Sequence, residues 1–201
     1  MFGLFQQGNQ QPATRQEGAD QASGPLHAVL GTPIGAAPTA SQQEALFGCG
    51  CFWGAEKGFW RLPGVVTTAV GYAGGRLANP SYEQVCSGRT GHGEVVRVVW
   101  ETSAVDFSDL LKLFWECHDP TQGNRQGNDV GSQYRSMIVV DRPELMDLAT
   151  ASRDAYQTLL SAAGFGAITT EISSGINAGI TGQQPFTFAA VSYTHLRAHE
   201  T

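Results

Sequence analysis

The order of apolar segments in this chain predicts an α/β fold, a two-layer sandwich of ferredoxin-like type on a mixed β-sheet. Runs rich in β-branched residues alternate with segments whose apolar residues recur every three or four positions. Their succession is strand, helix, strand, strand, helix, strand, with a further helix and strand beyond, a split βαβ order. Glycine and proline mark the joints, with 25 Gly and 9 Pro among 201 residues. No segment repeats, so the chain is not an array of repeated units.

Residues 44–50, EALFGCG, are short, apolar and bounded by glycine, and read as a buried strand. Phe52, Ala55, Phe59 and Leu62 then follow at helical spacing until Pro63 and Gly64 stop the helix. Residues 65–75 are β-branched and then glycine-rich, a strand running into a loop. Residues 94–101, EVVRVVWE, are the next strand, with Val96, Val98 and Trp100 on one face. Residues 106–118 place Leu110, Leu111, Phe114 and His118 on one side of a helix. A polar, Gly-rich loop leads to a strand at 136–140. A long helix is expected from Pro143 to about 163, with Asp141 as its cap, Glu144 three residues on and Gly164 at its exit. Residues 167–172 read as the last strand.

Composition narrows the function. Charged residues make up 15 %, the net charge is −6 and no Lys/Arg cluster occurs, so neither nucleic acid nor an anionic membrane is an expected partner. No apolar run reaches membrane-spanning length. The first residues have no basic and apolar signal pattern, so a cytoplasmic monomer is expected, with Cys49, Cys51, Cys86 and Cys117 as free thiols. Residues 1–24, rich in Gln, Gly and Ala, read as a weakly ordered arm.

Chemistry concentrates around GCGCFWGAEKGFW, residues 48–60. Cys51 follows a strand and starts a helix, where unpaired N–H groups and the helix dipole favour a thiolate. It is either a nucleophile or a buried structural cysteine. Cys49 lies inside the strand and is expected in the core. Cys49 and Cys51 with Cys117 and His118 lack the spacing of a zinc finger, and no metal is expected. Phe52 and Trp53 are either core aromatics or a pocket for a methyl-sized group beside the sulfur. Glu94 is either a solvated strand-end residue or, if walled in by apolar surface, an acid of raised pKa. Tyr82 and Tyr134 can donate hydrogen bonds to a substrate oxygen or be ordinary half-buried tyrosines. Asp129 lies in a polar loop of the kind that carries function.

Taken together, GCFWGAE (50–56), GYAGG (71–75), NPSYEQVCSGRTGHGEVV (79–96), HDPTQGNRQGNDVGSQYRS (118–136) and ITTEI (168–172) resemble the peptide-methionine (S)-S-oxide reductases, the MsrA family. LHAVLGTPI (26–34) resembles the lead-in of longer bacterial members. The resemblance implies reduction of methionine S-sulfoxide, free or in oxidised proteins, without a bound cofactor and with thioredoxin or dithiothreitol as reductant. It implies Cys51 as the nucleophile, Phe52 and Trp53 as the methyl pocket and Glu94 as the acid that protonates the sulfoxide oxygen. Tyr82 and Tyr134 would hold that oxygen, and Asp129 would order the site and a water. A thiol peroxidase, or a protein that binds the sulfoxide without recycling, is the competing reading.

The end of the chain departs from the pattern. Residues 191–201, VSYTHLRAHET, match one reading frame of a common sequencing-library adapter. A catalytic domain over 25–189, lacking its C-terminal end and the usual resolving cysteine, with a non-native tail at 190–201, is therefore expected. Cys86 is the remaining candidate for a resolving thiol, although Cys86 and Cys49 are both expected to be buried.

Overall fold

The computed structural model describes residues 25–176 and 186–188; the arm expected at 1–24 and the tail expected at 190–201 lie outside them. Eight strands and four helices follow in chain order among these residues. They are β1 (Gln42–Cys49), α1 (Phe52–Phe59), β2 (Val65–Ala73), α2 (Tyr82–Cys86), β3 (Gly93–Glu101) and α3 (Phe107–Cys117). After these come the short β4 (Arg125–Gln126) and β5 (Asp129–Val130), then β6 (Ser136–Val139), α4 (Pro143–Ala162), β7 (Glu171–Ser173) and β8 (Thr187–Phe188). The main sheet has the order β7-β6-β1-β3-β2-β8. It is mixed: β6 and β7 run parallel and the other pairs antiparallel. No helix among the described residues is long and apolar enough to cross a membrane.

Alternation along the strands sorts two faces. Ala45, Phe47, Val96, Val98 and Trp100 pack with Phe59, Leu110, Leu111 and Phe114 of the helices in one fully covered core. Phe47 stacks on Phe59 at 4.7 Å between ring centroids and meets Phe114 at 5.6 Å. Such rings supply much of the apolar area that drives folding. Leu46, Val95, Met137 and Val139 form a smaller cluster on the opposite face. There Arg97 is buried but fully engaged. Its Nε donates to Glu44 Oε2 at 2.7 Å, and its terminal nitrogens donate to the carbonyls of Ile34 (3.0 Å) and Ala36 (2.9 Å). The bonds strap the lead-in segment across the back of the sheet.

The structure differs from the sequence reading at three places. Asp141 does not cap α4; Arg142 holds the cap position without a side-chain bond, and Asp141 Oδ1 instead accepts from the N–H groups of Gly175 and Ile176, both at 2.8 Å. The last strand is shorter than expected, because Ile168 N–H donates to Gln157 Oε1 and Thr169 N–H to the Pro120 carbonyl. Backbone groups spent in this way cannot enter a ladder. The short helix α2 went unread: Ser81 and Gln84 close a reciprocal capping box at its start.

A second buried network positions α1. His27 Nδ1 accepts from the N–H groups of Val29 (3.1 Å) and Leu30 (3.0 Å), so the ring proton sits on Nε2 and is donated to Thr68 Oγ1 at 2.8 Å. The Thr68 hydroxyl in turn donates to Glu56 Oε1 at 2.9 Å. Burial raises Glu56 to about 7, with the Thr68 bond opposing it. Between the unfolded value near ~4.3 and about 7, the folded chain keeps a proton that the unfolded chain has released. Stability from this group therefore falls as pH rises through that window. Glu56→Gln, which keeps the acceptor for Thr68, is expected to be more stable than the parent at pH 8 by about 1–3 kcal/mol. The gain should vanish near pH 4, as urea titrations at the two pH values would show; equal parental stability at pH 8 would place the Glu56 charge in solvent.

Candidate active site

Gly50 turns β1 into α1. Its φ of +86° lies in the left-handed region, and a Cβ there would stand 2.6 Å from Cβ and Cγ of Gln126. The turn delivers Cys51 to the cap position of α1, half-buried and without a side-chain cap bond of its own. The backbone N–H groups of Trp53 and Gly54, at the open start of the helix, act on its sulfur in the sense that favours the thiolate. Burial is the larger effect, and the Glu94 and Asp129 carboxylates add to it, so the Cys51 thiol lies above its ordinary range. This corrects the expectation from the helix start alone: dipole and N–H groups act as anticipated but are outweighed by desolvation and two neighbouring anions.

Glu94 is not a solvated strand end. It is 3 % exposed, shares the helix-side face of β3 with Val96 and Val98, and pairs across the ladder with Tyr72. Its Oε2 accepts the Phe52 N–H at 3.2 Å, immediately beside Cys51. Burial raises Glu94 to about 7, the Phe52 bond opposes this and the Asp129 charge adds to it. The Cys51 and Glu94 shifts are linked. A proton on Glu94 removes an anion that holds the Cys51 thiol up, so protonation of the carboxyl eases loss of the thiol proton, although a single proton shared between the two rests on the sulfur, the more basic of the pair.

Phe52 is buried and meets half-buried Trp53 edge to face at 5.3 Å and Tyr72 at 5.8 Å. Tyr134 follows the 3₁₀ turn at Ser132–Tyr134 and is half-buried; burial raises its phenol, and the charges of Glu94, Asp129, Cys86 and Cys51 all act on it in the same sense. Asp129 stands exposed on the β4–β5 hairpin, close enough for its charge to reach Cys51, Glu94 and Tyr134. Tyr82, on α2, is 55 % exposed, and the Cys86 thiol one turn further on is the chief cause of its rise to about 12. The fold thus gathers Cys51, Phe52, Trp53, Tyr82, Glu94, Asp129 and Tyr134 into one place from five separate segments.

The expectation that Cys86 is buried is wrong. Cys86 is exposed at the end of α2, a helix of one turn that lies on the rim and buries only Val85. Cys49 is buried, as its place in the strand requires. Tyr72 was missed. It is 1 % exposed, lies opposite Glu94, and its hydroxyl has no hydrogen-bond partner among the described residues. The signal was present in GYAGG, where the tyrosine alternates onto the face that carries Glu94. A cleft of about 780 Å³, lined in part by Arg76, Gln84, Arg89, Ser132 and Arg135, includes none of the residues gathered around Cys51.

Comparison with known proteins agrees with this geometry. The model of the family described as peptide methionine sulfoxide reductase matches residues 43–175. The peptide methionine sulfoxide reductase MsrA of Rhodospirillum centenum is 53 % identical over 176 residues, covering 85 % of this chain and 80 % of that protein. The methionine sulfoxide reductase A of Corynebacterium diphtheriae superposes with a TM-score of 0.73 at 41 % identity, over 88 % of this chain and 86 % of its own. Mxr1 of Saccharomyces cerevisiae in complex with Trx2 aligns at 18 % identity with a TM-score of 0.55, over 78 % of this chain and 87 % of its own, a likeness of fold alone. With a thiol at a helix start, a buried carboxyl beside it and a matching family model over most of the chain, the protein belongs to the peptide methionine sulfoxide reductase family.

Proposed function

We propose that the chain reduces methionine S-sulfoxide, free or within oxidised proteins, with Cys51 as nucleophile and Glu94 as acid. One observation carries this reading above the others: a carboxyl raised to about 7 is held against the N–H of the residue next to Cys51. A sulfoxide oxygen leaves sulfur only once protonated, and near neutral pH Glu94 can hold the proton it needs. The Cys51 thiolate attacks the sulfoxide sulfur while Glu94 gives its proton to the oxygen. The S–O bond breaks, methionine departs as the thioether, and the oxygen ends on Cys51 as a sulfenic acid. Cys51 is oxidised by two electrons and the substrate sulfur is reduced by two. Phe52 and Trp53 offer apolar surface for the S-methyl, which favours a methyl sulfoxide over a peroxide as substrate. In this reading Tyr134 and Tyr82 donate to the oxygen and Asp129 orders the polar side of the site; the reach of the Asp129 charge to Cys51, Glu94 and Tyr134 supports it.

For the return step, Cys86 is the proposed resolving thiol. It is exposed, and both its charge and that of Cys51 reach the Tyr134 phenol. Its thiolate would attack the Cys51 sulfenic sulfur, expel hydroxide as water and leave a disulfide for a thioredoxin-type dithiol to reduce. The Mxr1–Trx2 complex supports a thioredoxin as that partner. All four cysteines are free, in keeping with a reducing, cytoplasmic setting.

Cys51→Ser is expected to lower methionine formation from the S-sulfoxide at least about a thousandfold, measured with dithiothreitol as reductant; retained activity would remove Cys51 from the mechanism. Glu94→Gln should slow the same reaction by about 10²–10⁴. It should also move the pH midpoint of Cys51 alkylation downward, because an anion that raises the thiol is gone. A loss below about threefold would reduce Glu94 to a structural residue. Cys86→Ser should keep turnover with dithiothreitol, which reduces the sulfenic acid directly, and lose most turnover driven by thioredoxin. Undiminished thioredoxin-driven turnover in Cys86→Ser would show that another thiol resolves Cys51.

A further inference from the structure

Behind the active site the fold assembles a second thiol group that the proposed reaction does not use. Cys49 ends β1 and is 7 % exposed; Cys117 ends α3 and is exposed as a residue, with its sulfur turned inward onto Cys49. One ligand atom each of Cys49, Cys117 and His118 lies within 4.8 Å of the others, and the Cys117 thiol donates to the Phe114 carbonyl at 3.4 Å. The residues are 68 positions apart in sequence between Cys49 and Cys117, so only the packing of α3 on the sheet brings the sulfurs together.

Two chemistries suit such a cluster, a thiophilic metal ion and a disulfide. The histidine decides between them. His118 Nδ1 lies 2.7 Å from the Phe114 carbonyl, which can only accept, so Nδ1 carries a proton and offers no lone pair. That is also the ring nitrogen 4.0 Å from Cys117 Sγ. Nε2 is held by the Ser136 hydroxyl at 2.7 Å, which is itself bonded to Thr170 Oγ1 at 2.7 Å. A metal ion would have to break one of these bonds to gain its third ligand, whereas a disulfide asks only that two sulfurs already within 4.8 Å of one another close to about 2.05 Å. The thiols are also unequal. The neighbouring Cys49 thiol, with the His118 ring nearby, lowers the Cys117 thiol, while burial raises that of Cys49. A thiol with thiolate character at an exposed helix end, backed by a buried thiol nearby, is an attacking and resolving pair.

We propose that Cys49 and Cys117 form a second redox site, independent of Cys51, that a hydroperoxide oxidises to an intramolecular disulfide. The Cys117 thiolate attacks the peroxide oxygen, the O–O bond breaks, and hydroxide or alkoxide leaves with a proton as water or alcohol. Cys117 becomes a sulfenic acid. The Cys49 sulfur then displaces hydroxide from it, the Cys49 proton leaves with that hydroxide as water, and the S–S bond forms. Two thiols lose two electrons and the peroxide gains two.

The test uses the full chain with Cys51→Ser and Cys86→Ser, in which Cys49 and Cys117 are the only thiols left. After reduction and desalting, one equivalent of hydrogen peroxide should remove both thiols together, and dithiothreitol should restore both. A non-reducing peptide map should show Cys49 linked to Cys117, and the same link should form in the parent four-cysteine chain, which guards against a folding defect in the variant. Adding Cys117→Ser should leave the Cys49 thiol intact under the same treatment. Sulfinate at Cys117 with Cys49 still free, or chains cross-linked through Cys117, would overturn the proposal. So would stoichiometric zinc in the chain as purified, since the cluster would then be a metal site.

Discussion

A carboxyl group buried without a cation is the constraint on which the site depends. Among the described residues Glu94 has one hydrogen bond, from the Phe52 N–H, and no ion pair, so its charge is costly and its proton is retained toward neutral pH. The register of β3 against β1 and β2 enforces that burial. Phe47 faces Val96 and Tyr72 faces Glu94 in these ladders. A slip of one residue would turn Glu94 to the other face together with Val96, Val98 and Trp100, the strand's whole contribution to the main core. The energy that fixes this carboxyl is thus the packing energy of the sheet itself.

Cys51, the proposed nucleophile, is held from the opposite direction. Cys51 belongs to the turn between β1 and α1, so its position follows from where α1 begins and how it lies on the sheet. Phe59 packs α1 against Phe47, and the His27–Thr68–Glu56 relay ties the same helix to β2 and to the lead-in segment. Gln126 closes over Gly50 while its amide bonds Asp119 at both backbone groups, which seats the hairpin that carries Asp129. Groups on α1, β3, the hairpin and the 3₁₀ turn converge because each of these elements is anchored outside the site.

The four thiols illustrate how environment separates identical groups. Cys51 sits between N–H donors and carboxylates, and its readiness to react follows the proton on Glu94. Cys86 stands on the exposed rim within reach of Tyr82. Cys49, two residues from Cys51, points into the core because strand alternation and the turn at Gly50 send the two side chains different ways. Cys117 meets it there from a helix end. Sequence proximity would pair Cys49 with Cys51; the fold pairs it with Cys117.

Much of this architecture was legible in the chain. The main strands and the three long helices declared themselves through period-two and period-3.6 patterns, and the motifs around Cys51, Glu94 and Tyr134 placed the chain beside the sulfoxide reductases. Local pattern encodes such features because each apolar face must be buried whatever covers it. What the sequence alone did not settle was decided by distant partners. Asp141 reads as a helix cap, yet it bonds Gly175 and Ile176 more than thirty residues on. The thiol of Cys51 is placed high rather than low by burial under the surrounding fold, with carboxylates from β3 and the β4–β5 hairpin adding to it, not by its own helix. The depth of Cys86, the burial of Tyr72 and the meeting of Cys49 with Cys117 depend on how α2, β2 and α3 pack. The sequence determined which residues can do chemistry and which elements carry them. Tertiary structure decided which charges they feel and which of them touch, because Coulomb interaction and desolvation depend on distances through space that spacing along a chain does not specify.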